Sequence, residues 1–327
     1  GVQGDPMVTY IGAASGGLWK STSGGIKWQP VFDDQPYLSI SEVTFDPSNL
    51  ETVWVGTGDE NISGYPFIGD GIYKSEDGGE TWTHKGLLPQ RIVSKIIVDP
   101  TDSDRIYAAT MGLPFERNNE RGLYRSIDGG DNWEQVLFIS NQAGIADLVI
   151  DPFNPQTLYA SGWDRIRNNE ESLVTGSGSK IYKTTDGGDN WTTLQGGLPM
   201  ENLGRTGLAI SQMTPGLMYA MFVNTNSQLF GIFKTIDGGI NWIEVPTDEG
   251  TFLDSNSLGG FGWYFGQIRV NPTNDDDIFL LGVDLWRTLD GGDYWFKGTP
   301  PWFYYDVHAD KHDLQFSANG NLYLGTD

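Results

Sequence analysis

The chain has 327 residues, 20 lysines and arginines against 43 aspartates and glutamates, a net charge of −23, and no cysteine. Such a field repels nucleic-acid phosphates and anionic membrane surfaces, and the missing cysteines exclude disulfides and thiol catalysis. No run reaches the roughly eighteen apolar residues that a membrane span needs, and aromatics at 13% of residues suit a core shared among many small sheets.

In chain order, residues 5–33 read as two aromatic strands, a turn and a third strand opened by tryptophan. The turn, Ser21-Thr-Ser-Gly-Gly-Ile-Lys-Trp28, is the first of six copies of one motif. The others run from Ser75 to Trp82, Ser126 to Trp133, Thr184 to Trp191, Thr235 to Trp242 and Thr288 to Trp295. A period of about fifty residues points to a propeller, solenoid or array. Aspartate followed by two glycines between β-runs is a hairpin signal, because the carboxylate accepts turn N–H groups and glycine tolerates positive φ. Five copies carry the aspartate, at Asp77, Asp128, Asp186, Asp237 and Asp290; the first has Ser23 there, so its turn is expected to be less well held. Each closing tryptophan is expected to wedge between neighbouring sheets.

About thirty residues upstream of the motif lies an apolar run ending in Asp-Pro or Asn-Pro, as at Val43–Pro47, Ile96–Pro100, Leu148–Pro152 and Ile268–Pro272. Degenerate versions stand at Leu208–Ser211 and Leu314–Ser317. Proline cannot donate to a ladder and stops the strand, after which the chain resumes with Thr-Val-Trp-Val-Gly, Arg-Ile-Tyr-Ala-Ala or a similar run. Each period therefore supplies four strands, A to D, the make-up of a propeller blade. The expected fold is all-β, a β-propeller of four-stranded antiparallel blades. It has six motif-bearing blades plus a partial one, and seven when complete. Residues 1–327 form a single domain, read as a piece of a longer protein with both ends cut within blades.

The repeated Ser/Thr-x-Asp-Gly-Gly-x-x-Trp resembles the Asp-box, or BNR repeat, of sialidases, two-propeller xyloglucanases and sortilin-type receptors. With Gly-Ala-Ala-Ser-Gly-Gly-Leu-Trp-Lys near the start, it is most similar to large secreted bacterial proteins with sortilin-like propellers. The resemblance covers essentially the whole chain. It implies a secreted or cell-surface bacterial protein, and a type IX secretion cargo where a carboxy-terminal sorting domain follows. It also implies a protein, peptide or glycan ligand, with other domains of the same longer chain as partners.

Topology puts the Asp-Pro and Asp-Gly-Gly turns on one face and the irregular B–C and D–A loops on the other. Binding is expected on the irregular face. Two aromatic walls stand out: Trp263 and Tyr264 within Gly259–Gly266, and Trp302, Tyr304 and Tyr305 within Pro300–Asp306. Trp163 and Arg165 are added from the long loop after the fourth strand B. Such rings suit sugars or extended peptides, and equally suit packing between blades. His308, Asp310 and His312 alternate along an extended segment and would share a face, fitting a divalent metal; no other cofactor is expected. Asp306, Asp310 and His308 are the candidates for acid/base chemistry.

Two main functions compete. One is a non-enzymatic extracellular binding module. The alternative is a glycoside hydrolase, which needs two carboxylates about 5–10 Å apart, drawn from Asp34, Glu60, Glu116, Asp164, Asp306 and Asp310. In the xyloglucanases that the chain resembles, the two acids come from separate propellers. A sialidase reading would need a three-arginine clamp, here Arg91, Arg165 and Arg205.

Overall fold

The computed structural model describes residues 7–247, 252–299, 307–317 and 320–326, and all regular structure among them is β. Strands β1 (Thr9–Ala13), β2 (Gly17–Ser21) and β3 (Gln29–Pro30) make a three-stranded sheet. Four-stranded meanders follow. The second sheet holds β4 (Ile40–Asp46), β5 (Asn49–Thr57), β6 (Ile72–Ser75) and β7 (Thr83–His84). The third holds β8 (Val93–Asp99), β9 (Asp102–Thr110), β10 (Gly122–Ser126) and β11 (Glu134–Leu137). The fourth has β12 (Ala143–Ile150), β13 (Leu158–Asp164), β16 (Ile181–Thr184) and β17 (Thr192–Thr193). A small hairpin, β14 (Ile166–Arg167) with β15 (Ser172–Leu173), is inserted in its B–C loop.

The fifth sheet comprises β18 (Thr206–Ile210), β19 (Met218–Val223), β20 (Leu229–Thr235) and β21 (Ile243–Val245). The sixth comprises β22 (Gln267–Asn271), β23 (Asn274–Leu281), β24 (Leu285–Thr288) and β25 (Trp295–Lys297). A last pair, β26 (Lys311–Phe316) and β27 (Leu322–Thr326), completes the described strands. Pairing within the sheets is antiparallel throughout.

The leading strands β4, β8, β12, β18, β22 and β26 pack side by side in that order. They surround one axis. A single cavity of about 250 Å³ is lined by Glu42, Lys95, Asp147, Leu208, Arg269 and Gln315, one from each of the six strands. Period-two alternation puts charged residues at one level of this channel. The apolar partners face sideways and build the core between successive sheets. Leu18, Phe32, Ile40, Val55 and Tyr73 pack between the first and second sheets; Trp54, Val93, Ile96, Ile106 and Ala108 pack between the second and third.

The A–B corners are Asx turns. Asp46, Asp99, Asp151 and Asn271 each accept the backbone N–H two residues on, at 2.8–2.9 Å. In the degenerate copy Ser211 does the same through its hydroxyl, taking the Met213 N–H at 2.9 Å.

The Asp-box corner is a closed ring of side-chain bonds. Ser75 Oγ donates to Asp77 Oδ1 (2.8 Å) and accepts the Gly79 N–H (2.7 Å). Asp77 accepts the Thr81 N–H and hydroxyl at 2.9 and 2.6 Å. Gly78 and Gly79 sit at φ of 67° and 92°, the left-handed region that a side chain would strain. The threonine hydroxyl and other donors hold Asp77 down at about 2, and the Asn190 amide and its companions do the same for Asp186. Asp237, held first by the Asn241 N–H, also lies at about 2, and Asp128 and Asp290 are lowered for the same reason. Ser23 in the first copy still accepts the Lys27 N–H at 2.8 Å but has one oxygen where the others have two.

The first, third and fourth sheets also grip the box of the next. Tyr10 and Lys20 both donate to the Gly78 carbonyl (2.6 and 2.7 Å). Tyr107 and Arg125 converge on Gly187 O (2.9 and 2.7 Å). Tyr159 and Lys183 converge on Gly238 O (3.0 and 2.7 Å). This explains the recurring tyrosine of strand B and lysine or arginine of strand C. The box tryptophans work alongside: Trp82 and Trp133 donate backwards to Val31 O and Lys85 O, both at 2.7 Å. Trp242 and Trp295 are buried, with their N–H folded onto Gly239 O and Gly292 O.

Candidate functional site on the irregular loop face

The B–C loops of the second, third and fourth sheets and the D–A loop before β22 converge over the axis. They are laced by three buried arginines, Arg121, Arg165 and Arg205. Arg121 donates to Leu113 O, Glu116 O and Arg165 O (2.8–3.1 Å). Arg165 donates to Leu173 O (3.1 Å) and to Ile62 O, and lies between the rings of Trp163 and Trp263, 5.5 and 5.0 Å from their centroids. Arg205 donates to Asn61 Oδ1 and to Tyr264 O (3.0 Å). Burial opposes these charges and, with repulsion from Arg117 and Arg167 added, lowers Arg121 and Arg165 to about 10. Carbonyl oxygens from distant loops replace the lost water.

The turn at Asp59–Ser63 forms the roof of the channel. Asp59 organises it by accepting the Asn61 and Ser63 N–H groups at 3.1 and 2.8 Å. Ile62, fully buried at φ 47°, packs with Ile92, Met111, Ala146 and Trp163. Glu60 is thereby held among Lys95, Arg205, Glu42 and Asp313. One of its carboxyl oxygens is buried without a hydrogen-bond partner among the described residues. Burial outweighs the two cations and raises its carboxyl to about 7. Below it Lys95 binds Glu42 at 2.8 Å and Arg269 binds Asp313 at 3.3 Å.

Above this rigid layer stand exposed rings. Tyr65 is 92% exposed, and Phe67, Phe115 and Phe261 are also exposed. Tyr65 and Phe67 project from the loop that carries Glu60; Phe115 lies in a loop fixed by the Asn168 bond to its carbonyl (2.8 Å).

Several sequence expectations are corrected here. Trp163 and Arg165 are not ligand-facing. Both are buried, Trp163 with its N–H on Val174 O at 3.0 Å. Trp263 and Tyr264 are half-buried and pack inward, Trp263 on Arg165 and Tyr264 on His312. Asp164 is buried and accepts the Gln142 amide and the Gly178 N–H. The three-arginine clamp does not form, since Arg165 and Arg205 are spent on the loops. His308, Asp310 and His312 do not gather. Asp310 has φ 65°, which breaks the alternation before β26 begins. His308 is exposed, while His312 stacks on Tyr264 and Phe265. Among the described residues no group of three His, Cys, Asp or Glu side chains is placed to hold a metal ion. Trp302, Tyr304, Tyr305 and Asp306 lie outside the described residues. The sequence reading missed Tyr65, Phe67 and Phe115; the signal was Gly64-Tyr65-Pro66-Phe67, rings set among loop-forming residues.

Comparison with known proteins agrees with this architecture. The family model described as Sortilin, neurotensin receptor 3 matches residues 70–201. Xyloglucanase Xgh74A of Acetivibrio thermocellus is 24% identical over 97% of this chain and 40% of its own length. The chain thus spans less than half of that relative. Among solved structures, an ancestral GH74 enzyme superposes with TM-score 0.69 at 18% identity, covering 98% of this chain and 42% of the other. YCF48 bound to D1 peptide superposes with TM-score 0.59 at 18% identity, covering 98% of this chain and 88% of the other. The chain is an all-β Asp-box propeller that resembles the sortilin-type and xyloglucanase propellers.

Proposed function

We propose that the chain is a glycan-recognition propeller of a xyloglucanase-like protein, acting outside the cell with its irregular loop face against a xyloglucan-type polysaccharide. The observation that carries this is the set of exposed rings, Tyr65, Phe67, Phe115 and Phe261, on loops locked from beneath by buried arginines. Flat apolar ring faces suit the apolar faces of sugar rings, and loops fixed beforehand lower the ordering cost of binding. The xyloglucanase relatives support the choice of ligand. Hydrolysis needs a second carboxylate across a cleft. In the two-propeller enzymes that the chain resembles, that group comes from the other propeller. This propeller is therefore read as one wall of the cleft, with Glu60 a buried carboxyl raised to about 7.

Affinity electrophoresis in gels containing xyloglucan, galactomannan or no polysaccharide tests this. Retardation by xyloglucan, lost in Tyr65→Ala/Phe67→Ala, is expected; equal mobility in all gels refutes it. A peptide ligand is the second reading, favoured by the match to nearly the full length of YCF48 in its peptide-bound structure. Competition by unstructured peptide in the same gels would favour it.

A further inference from the structure

Eight of the ten arginines are tied to an acceptor. Arg105, Arg117, Arg125, Arg269 and Arg287 are in ion pairs, and Arg121, Arg165 and Arg205 are on loop carbonyls. The other two, Arg91 and Arg167, make no side-chain hydrogen bond or ion pair among the described residues. In a chain of net charge −23, carboxylates are plentiful, and an arginine left unpaired is unusual. Both of these arginines meet one loop, Gly64–Gly69, which carries the exposed rings of Tyr65 and Phe67. A Cβ on Gly64 would stand 4.0 Å from Nη2 of Arg167, and one on Gly69 would stand 2.7 Å from the Arg91 carbonyl oxygen.

Arg167 is the better placed of the two. Its backbone is fixed by pairing with Ser172 across the β14–β15 hairpin and by its own N–H on Pro114 O (2.9 Å). Pro114 precedes the exposed Phe115, so the half-buried side chain starts beside the Phe115 loop and ends beside the Tyr65 loop. Acids on the same loops are already taken. Glu171 is held by two Arg117 bonds of 2.9 Å, and Asp59 accepts the Asn61 and Ser63 N–H groups.

A planar cation between exposed rings suits a carboxylated sugar: the rings cover apolar sugar faces and the guanidinium takes both carboxylate oxygens. The charge of −23 repels a dense polyanion, so the fitting ligand is a mainly neutral polysaccharide with scattered uronate units. We infer that Arg167 takes the carboxylate of such a uronate unit, while Tyr65 and Phe115 cover the adjoining sugar rings. This rests on the glycan reading above and narrows its ligand.

The test is affinity electrophoresis in gels holding no polymer, xyloglucan, or xyloglucan with part of its primary hydroxyls oxidised to carboxylates. Relative to the polymer-free gel, wild type is expected to be held about three- to tenfold more tightly by the oxidised polymer than by the untreated one, the worth of one well-aligned, partly desolvated ion pair. General repulsion works against the oxidised polymer, so net charge does not produce this gain. In Arg167→Gln the ratio should fall to one or below. Lys27→Gln removes the same charge from the exposed first Asp-box and should keep the wild-type ratio. A wild-type ratio of one or less, a preference that survives Arg167→Gln, or an equal loss in Lys27→Gln overturns the inference and leaves glycan binding standing. Retardation by neither polymer ends both. Release from the oxidised polymer by a glutamate-rich hexapeptide but not by a glucuronate oligosaccharide would make the partner a peptide, and overturns the inference as well.

Discussion

Replacing Glu60 by glutamine should make the protein more stable at neutral and alkaline pH, although it removes a carboxylate that sits near Lys95 and Arg205. The carboxyl stands at about 7 in the fold against an ordinary 4.5, with burial as the leading cause. A raised value means that the folded state holds the proton more tightly than the unfolded chain. The associated stability is full below about pH 4.5 and is lost as pH rises through about 7. A displacement of this size corresponds to at most about 3 kcal/mol. Glutamine is neutral throughout and keeps the shape. Urea denaturation at about pH 4.5 should give matching midpoints for wild type and Glu60→Gln, and at about pH 8 a higher midpoint for the variant, by up to that amount. Comparing the two proteins cancels the general repulsion of a chain of net charge −23. Parallel profiles would refute the reasoning. A variant weaker at pH 8 would show that attraction by Lys95 and Arg205 outweighs burial.

Arg165→Met keeps most of the bulk between Trp163 and Trp263 but orphans the Ile62 and Leu173 carbonyls; a loss of about 2–4 kcal/mol in denaturant unfolding is expected. Tyr107→Phe removes one bond between adjacent sheets, to Gly187 O, and should cost about 1 kcal/mol; calorimetry would register this as a small drop in Tm with no change in glycan retardation. Ser23→Asp gives the first box the second acceptor oxygen that the other five have and should raise Tm slightly in a thermal-shift assay.

The fold was legible because its signals are local. An aspartate accepting an N–H two or four residues ahead leaves its mark within one stretch of sequence, as at Asp46 and Asp77. Even the degenerate Ser211 keeps the same bond. The site was harder because its partners are remote. Arg165 meets the Ile62 carbonyl across 103 positions, and a backbone carbonyl has no side-chain identity to recognise. Arg165 and Arg205 therefore read as clamp-forming when they, like Arg121, are internal struts. Trp163 misleads for a related reason: it is the penultimate residue of β13, a strand buried along its whole length, and an aromatic ring next to a long loop reads as a ligand wall. At Asp310 a single left-handed residue undid an alternation that spacing alone suggested.

The bonds from Tyr10, Tyr107 and Tyr159, with Lys20, Arg125 and Lys183, reach forward to the following box and never to their own. The unit that can be exchanged intact is therefore out of phase with the visible blade: it comprises two middle strands and the hairpin of the neighbour downstream. Grafting or deleting along blade boundaries would cut every such grip. Cutting midway through a sheet would preserve them, and a chimera library spliced at both phases would recover folded members from the second.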